Sequence, residues 1–197
     1  MKIKMTLLIV FLALCCFLGF GFIKARQLRN IHIQKEVSIN GSLPAVYEQV
    51  QYLNNFPNWS PFLEADPDQV IEITGVDGTV GAQYHWEGNK GKDLGFQEIK
   101  AIVPNAYIKM ACDIQKPFKA QPVFEYRFKQ VGAEVKVTQD FHLESGTVDA
   151  FFMWVFRAKK NMANLNQRGL ELLRTSVEGK TSGHLSEFVS TESALVY

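Results

Sequence analysis

Residues 134–177, EVKVTQDFHLESGTVDAFFMWVFRAKKNMANLNQRGLELLRTSV, change their hydrophobic period once, and that change decides the fold. In Glu134–Glu144 apolar and polar residues alternate. Val135, Val137, Phe141 and Leu143 share one face and Lys136, Thr138, Asp140 and His142 the other, the pattern of a strand with one buried side. Beyond Gly146 the apolar residues recur at helical spacing: Val148, Phe151, Phe152, Val155, Phe156, Met162, Leu165, Leu170, Leu173 and Val177. No proline interrupts them, so the spacing predicts one amphipathic helix over 148–177, about eight turns long and closed at Gly179.

Upstream of this junction the same alternation repeats in short runs. Strands are expected near 69–74, 81–88, 94–103, 106–115 and 122–131, punctuated by Val76-Asp77-Gly78, Gly88-Asn89-Lys90-Gly91, Pro104-Asn105, Lys116-Pro117 and Val131-Gly132, a spacing that suits an antiparallel meander. A further strand is read over 31–39, where Ile31, Ile33, Val37 and Ile39 alternate with polar residues. Ser42 then caps a short helix with Pro44 in its first turn. Asn54 to Phe62 carries Pro57 and Pro61 and is expected to be extended and irregular. The order is strand, short helix, six-stranded meander, long helix. An antiparallel sheet with one face to bury is most simply covered by that last helix, which makes the fold α+β with an apolar space between a curved sheet and a lone helix.

The first residues are of another kind. Met5 to Ile23, MTLLIVFLALCCFLGFGFI, contains no charge and is flanked by Lys2, Lys4, Lys24, Arg26 and Arg29. As a helix it reaches about 29 Å, close to the thickness of a bilayer's hydrocarbon core. No small-residue cleavage site ends it, and Leu14 stands where a lipobox needs a small residue before Cys15. An uncleaved transmembrane anchor is therefore expected, and a short basic N-terminus leans the following domain to the non-cytoplasmic side. The expected division is anchor and linker over 1–30, one domain over 31–179, and a mobile tail over 180–197.

Charge is balanced at 21 Lys+Arg against 20 Asp+Glu, which leaves no basic footprint for nucleic acid. Only Cys112 of the three cysteines lies in the domain, so no internal disulfide staples it. The four histidines, His32, His85, His142 and His184, are scattered without ligand spacing, and neither a metal nor another cofactor is expected. Ser60 and Ser145 have no visible base partner, and Gly88–Gly91 is a hairpin turn rather than a phosphate loop.

The ordered series Val37–Tyr47, Asn58-Trp59-Ser60-Pro61-Phe62, Gly81–Asn89 with Gly95-Phe96-Gln97-Glu98-Ile99, and Gly169–Leu173 resembles the START-like helix-grip superfamily. Within it the series is similar to the polyketide cyclase/dehydrase and lipid-transport family, over roughly residues 31–178. The resemblance implies an antiparallel curved sheet of about seven strands wrapped around a long C-terminal helix, the first and last strands adjacent, and a pocket for lipids, sterols, quinones or polyketide-like molecules. It does not imply one catalytic set.

Pocket walls are assigned to Trp59 and Phe62 from the proline-flanked segment and to Tyr84 and Trp86 from the second meander strand. Phe124, Tyr126 and Phe128 follow from the fifth strand, Gln139 and Phe141 from the last strand, and Phe152 and Phe156 from the closing helix. Lys35 interrupts the apolar face of the first strand and is expected to reach outward past it. The expected function is non-enzymatic binding of an apolar small molecule or lipid at a membrane. Two alternatives are a cyclase or dehydratase using Tyr84, His85 or Gln139 on an apolar substrate in the same cavity, and a module that binds a protein partner.

Overall fold

The structure, a computed structural model, describes the backbone of residues 2–194 and the side chains of residues 4–179. Helix α1 (Lys2–Ala25) and a single 3₁₀ turn (Arg26–Leu28) lead into strand β1 (Asn30–Asn40). Helix α2 (Leu43–Gln51) follows, capped by the Ser42 hydroxyl, which accepts from the Ala45 backbone N–H. After helix α3 (Pro61–Ala65) come β2 (Val70–Thr74), β3 (Gln83–Gly88), β4 (Asp93–Val103), β5 (Tyr107–Lys116), β6 (Val123–Val131) and β7 (Glu134–Glu144). Helices α4 (Thr147–Val155) and α5 (Ala158–Ala194) end the described chain.

The strands form one antiparallel sheet in the order β1-β7-β6-β5-β4-β3-β2. Each lies within two residues of where alternation places it. Register carries the apolar faces into line: Ile73 opposes Tyr84, Tyr84 opposes Gln97, Gln97 opposes Cys112, Phe124 opposes Phe141 and Val37 opposes Val137. Side chains at every second position therefore share the concave face. At one end of that face Ile39, Val135, Val137, Ile108 and Ile99 pack solid against α2 and against Leu170, Leu173 and Val177 of α5. That end is the core.

Three local expectations are corrected. The segment from Asn54 to Phe62 is mostly helical, a 3₁₀ stretch (Leu53–Asn58) followed by α3. Pro61 occupies the first turn of α3, where no N–H is missed, and the Ser60 hydroxyl accepts from the Leu63 N–H. The helix predicted over 148–177 is two helices, because Arg157 adopts a left-handed conformation at φ 53° between α4 and α5. The turn is secured by Asn161, whose side-chain amide donates to the Phe156 carbonyl, and it swings α4 off the α5 axis onto α1. Gly179 does not close α5, which continues to Ala194. A glycine costs a helix only about 1 kcal/mol and no proline follows it. The side chains of the tail expected over 180–197 lie outside the described residues.

Helix α1 is long and apolar enough to cross a membrane or to act as a signal sequence. Its second half packs on α4 through rings: Phe22 stacks on Phe151 at 4.8 Å, and Phe17 and Phe20 meet Trp154. Gly21 makes this approach possible, since a Cβ there would come within 2.5 Å of the Phe151 ring.

Candidate functional site

The other end of the concave face is hollow. Between it and the first turns of α5 lies a cavity of about 230 Å³. Strands β3 to β7 supply its floor, with Tyr84, Trp86, Gln97, Cys112, Ile114, Phe124, Tyr126, Gln139, Phe141 and Leu143. Met162, Leu165, Asn166 and Gly169 of α5 form the roof, and Trp59, Pro61 and Phe62 close one side. The cavity exists because α5 fills only the far end of the curved face, where Leu170, Leu173 and Val177 reach the strands. Toward its N-terminus the helix presents Asn166 and Gly169, one polar and one without a side chain, and Met162 and Leu165 roof the space without filling it.

Most of the assigned wall residues converge here: Trp59, Phe62, Tyr84, Trp86, Phe124, Tyr126, Gln139 and Phe141. Three do not. Phe128 belongs to the solid end, edge-on to Tyr47 with ring centroids 5.2 Å apart. Phe152 and Phe156 are 53% and 69% exposed, turned outward by the break at Arg157. His85 is also off the cavity. It alternates with Tyr84 and Trp86 and lies on the outer face against Gln83 and Thr74. Lys35 stands opposite Gln139 in the ladder, half-buried on an edge strand and outside the cavity lining. Phe118, Ala120 and Pro122 of the β5–β6 loop and Gln97 were missed by sequence reasoning. Gln97 was legible in principle, being the polar member on the inward side of Gly95 and Ile99.

The wall is mainly apolar with a few hydrogen-bonding groups. Trp59 donates its indole N–H to the Gln49 carbonyl at 2.9 Å, and Trp86 donates to Asp93 at 3.1 Å, so both rings are pinned. Gln139 donates to the Tyr126 hydroxyl at 2.9 Å. Three buried polar atoms on lining residues have no protein partner: the Tyr84 hydroxyl, the Gln139 carbonyl oxygen and the Asn166 amide nitrogen. Buried polar atoms are nearly always paired, so these are places where a bound molecule's own polar group is wanted. Burial pushes the Cys112 thiol up to about 12 and raises both the Tyr84 and Tyr126 phenols. At neutral pH all three stay protonated, able to donate a hydrogen bond but not to act as base or nucleophile. A second, open cleft between β1 and α5, lined by Glu36, Glu134, Glu171 and Arg174, is charged and solvent-facing.

No family profile matches this chain, and no curated protein does. Among solved structures it is similar to a protein of unknown function, SA2116 from Staphylococcus aureus, with 18% identity, a TM-score of 0.58, and coverage of 79% of this chain and 99% of that one. Protein CV1439 from Chromobacterium violaceum aligns with 12% identity and a TM-score of 0.57, covering 75% of this chain and 96% of that one. Ara h 8.0201 aligns with 13% identity and a TM-score of 0.50, covering 73% and 98%. These neighbours share the helix-grip fold, and at such identities the fold is what the likeness establishes.

Proposed function

We propose that this protein is a membrane-anchored carrier or receptor for a slim apolar molecule bearing a small polar end, held in the cavity under α5 without chemical change. One observation carries the reading: the hollow end of the domain is the end to which α1 is attached. Strands β1, β2, β4 and β6 begin there and β3, β5 and β7 finish there. The loops bordering the cavity and the exit of α1 therefore share one rim. With α1 seated in a bilayer, that rim faces the lipid.

The rim's surface suits such a neighbour. Phe118 is 60% exposed, and with Phe152 and Phe156 it presents three aromatic rings to the outside. Exposed Lys119, Arg157, Lys159 and Lys160 stand beside them. Aromatic rings set among Lys and Arg are the composition of segments that lie at lipid headgroups. The volume is below the ~300–1,000 Å³ usual for small-molecule sites, which favours a single chain or a small ring system over a sterol. The resemblance to the lipid-transport family supports the same class of ligand. The protonated wall groups and pinned rings support holding over catalysis, against the cyclase or dehydratase alternative.

The test is native mass spectrometry of the full chain released from lipid nanodiscs. One apolar molecule per chain is expected, lost in an Ala120→Trp variant that fills the lining. A wild-type chain that emerges empty, and that leaves fluorescent fatty acid and quinone probes unbound, overturns the proposal.

A further inference from the structure

On the outer face of the sheet, away from the cavity, β1 and β7 bring His32 beside two side chains that lie more than a hundred residues further along the chain. His32 and His142 are directly opposite in the ladder. Their rings lie parallel, 4.5 Å apart at 3° between planes. Asp140, two residues before His142 on the same face, places its Oδ1 2.7 Å from His32 Nε2. One donor atom from each of the three lies within 4.8 Å of the other two. We infer that His32, His142 and Asp140 form a binding site for a single late first-row divalent ion, with Zn²⁺ the natural probe.

The donor set determines the class of ion. Two imidazole nitrogens and one carboxylate oxygen suit Zn²⁺, Cu²⁺ or Ni²⁺, whereas Mg²⁺ and Ca²⁺ seek oxygen alone. Bonds of about 2.0–2.2 Å bring such donors within about 4 Å of one another, so small side-chain rotations close the present separations. Three ligands from one strand pair occupy one side of the ion. The remaining positions open to solvent, since β1 is an edge strand and the His32 side chain is 55% exposed.

Asp140 is the second observation. Outward-facing strand positions are normally wet, yet this carboxylate is only 4% exposed. Gln34 donates to Oδ1 at 3.0 Å and Arg127 pairs with Oδ2. The carboxylate is thus oriented by neighbours that are not themselves ligands, the kind of support that metal-binding carboxylates and histidines require. Arg127 does not forbid a cation. It holds the other oxygen, and Glu125 stands 3.8 Å from its guanidinium, ready to take the arginine's charge as the ion takes Asp140.

The position suggests what the ion does. His32 lies two residues after β1 begins and His142 two before β7 ends, at the root of α1. An ion there clips the edge strand that carries α1 to the strand beside it. Because it binds only the paired strands, it stabilises them by linkage.

The experiment is calorimetric titration of Zn²⁺ into the full, untagged chain in detergent micelles. One ion per chain is expected, with affinity falling at least tenfold in His32→Ala and in His142→Ala. His85→Ala, on the same outer face, is expected to bind like wild type. Both test positions are surface ones, so folding is checked by circular dichroism without Zn²⁺. Absence of saturable one-to-one binding by the wild type overturns the site, as does undiminished affinity in the two histidine variants. Neither result depends on what the cavity holds.

Discussion

Single side chains at the cavity wall separate a hydroxyl that stabilises the empty protein from one that does not. The Tyr84 hydroxyl is buried and unpartnered, whereas the Tyr126 hydroxyl accepts from Gln139. An unmade buried hydrogen bond costs about 1–3 kcal/mol. Tyr84→Phe is therefore expected to leave the urea midpoint of the empty protein at or above wild type. Tyr126→Phe, which orphans the Gln139 amide, is expected to lose about 1–2 kcal/mol. Equal losses in both would show that Tyr84 has a partner after all. Gly95 makes a different point. A Cβ there would lie 2.5 Å from the Asp113 carbonyl and 2.5 Å from the Trp86 ring, at the bulge between Leu94 and Gly95. Gly95→Ala is expected to cost about 1–3 kcal/mol by overpacking, read as a lowered denaturation midpoint. That Gly95 needed to be glycine was not legible, because the clash is with a strand eighteen residues on.

Among the elements, the pieces that border the cavity are held by discrete contacts. Arg168 of α5 grips the Glu64 carboxylate of α3 with two nitrogens and holds it below the usual carboxylate range. A carboxylate with a depressed folded pKa stabilises above its unfolded pKa, near 4.3, and loses that contribution as pH falls through the folded value. Acid below about pH 4 is thus expected to loosen α3 from α5. Glu64→Gln should flatten that part of the pH dependence; an unchanged profile would count against the pair. The α4–α5 break is a second feature of this scale, outside the cavity lining. A non-glycine residue in the left-handed region carries roughly 1 kcal/mol of strain, and Arg157 is one. Arg157→Gly is expected to keep or raise the thermal midpoint. A continuous helix in its place would instead show as a loss of the Phe22–Phe151 and Phe17–Trp154 contacts in nuclear Overhauser spectra. The break escaped sequence reading because the apolar stripe runs through it in phase, with Val155 and Phe156 on either count reading as buried. Both are exposed.

For the whole molecule, α4 beside α1 and the hollow rim lie at one end of the domain, the end that the proposed anchoring turns toward a bilayer. In nanodiscs of lipid brominated high on the acyl chain, wild-type tryptophan emission is expected to be quenched more than that of Trp154→Phe. The two share Trp59 and Trp86, so the difference isolates Trp154; no difference would place α4 outside the lipid. What the sequence determined alone is the local grammar: an uncharged run long enough to span, strand edges within two residues, and which side of each strand is apolar. Those follow from periods of two and 3.6 and from turn residues, which act over a few positions. Only the tertiary structure decided depth along the concave face. Alternation puts Phe128 and Tyr126 on the same side, but whether a ring meets Val177 or empty space depends on how far α5 reaches across the sheet. The same holds for His32, Asp140 and His142, whose meeting is set by ladder register between the first strand and the last. Period assigns a residue its side, whereas volume and register, summed over the whole chain, assign it its neighbours.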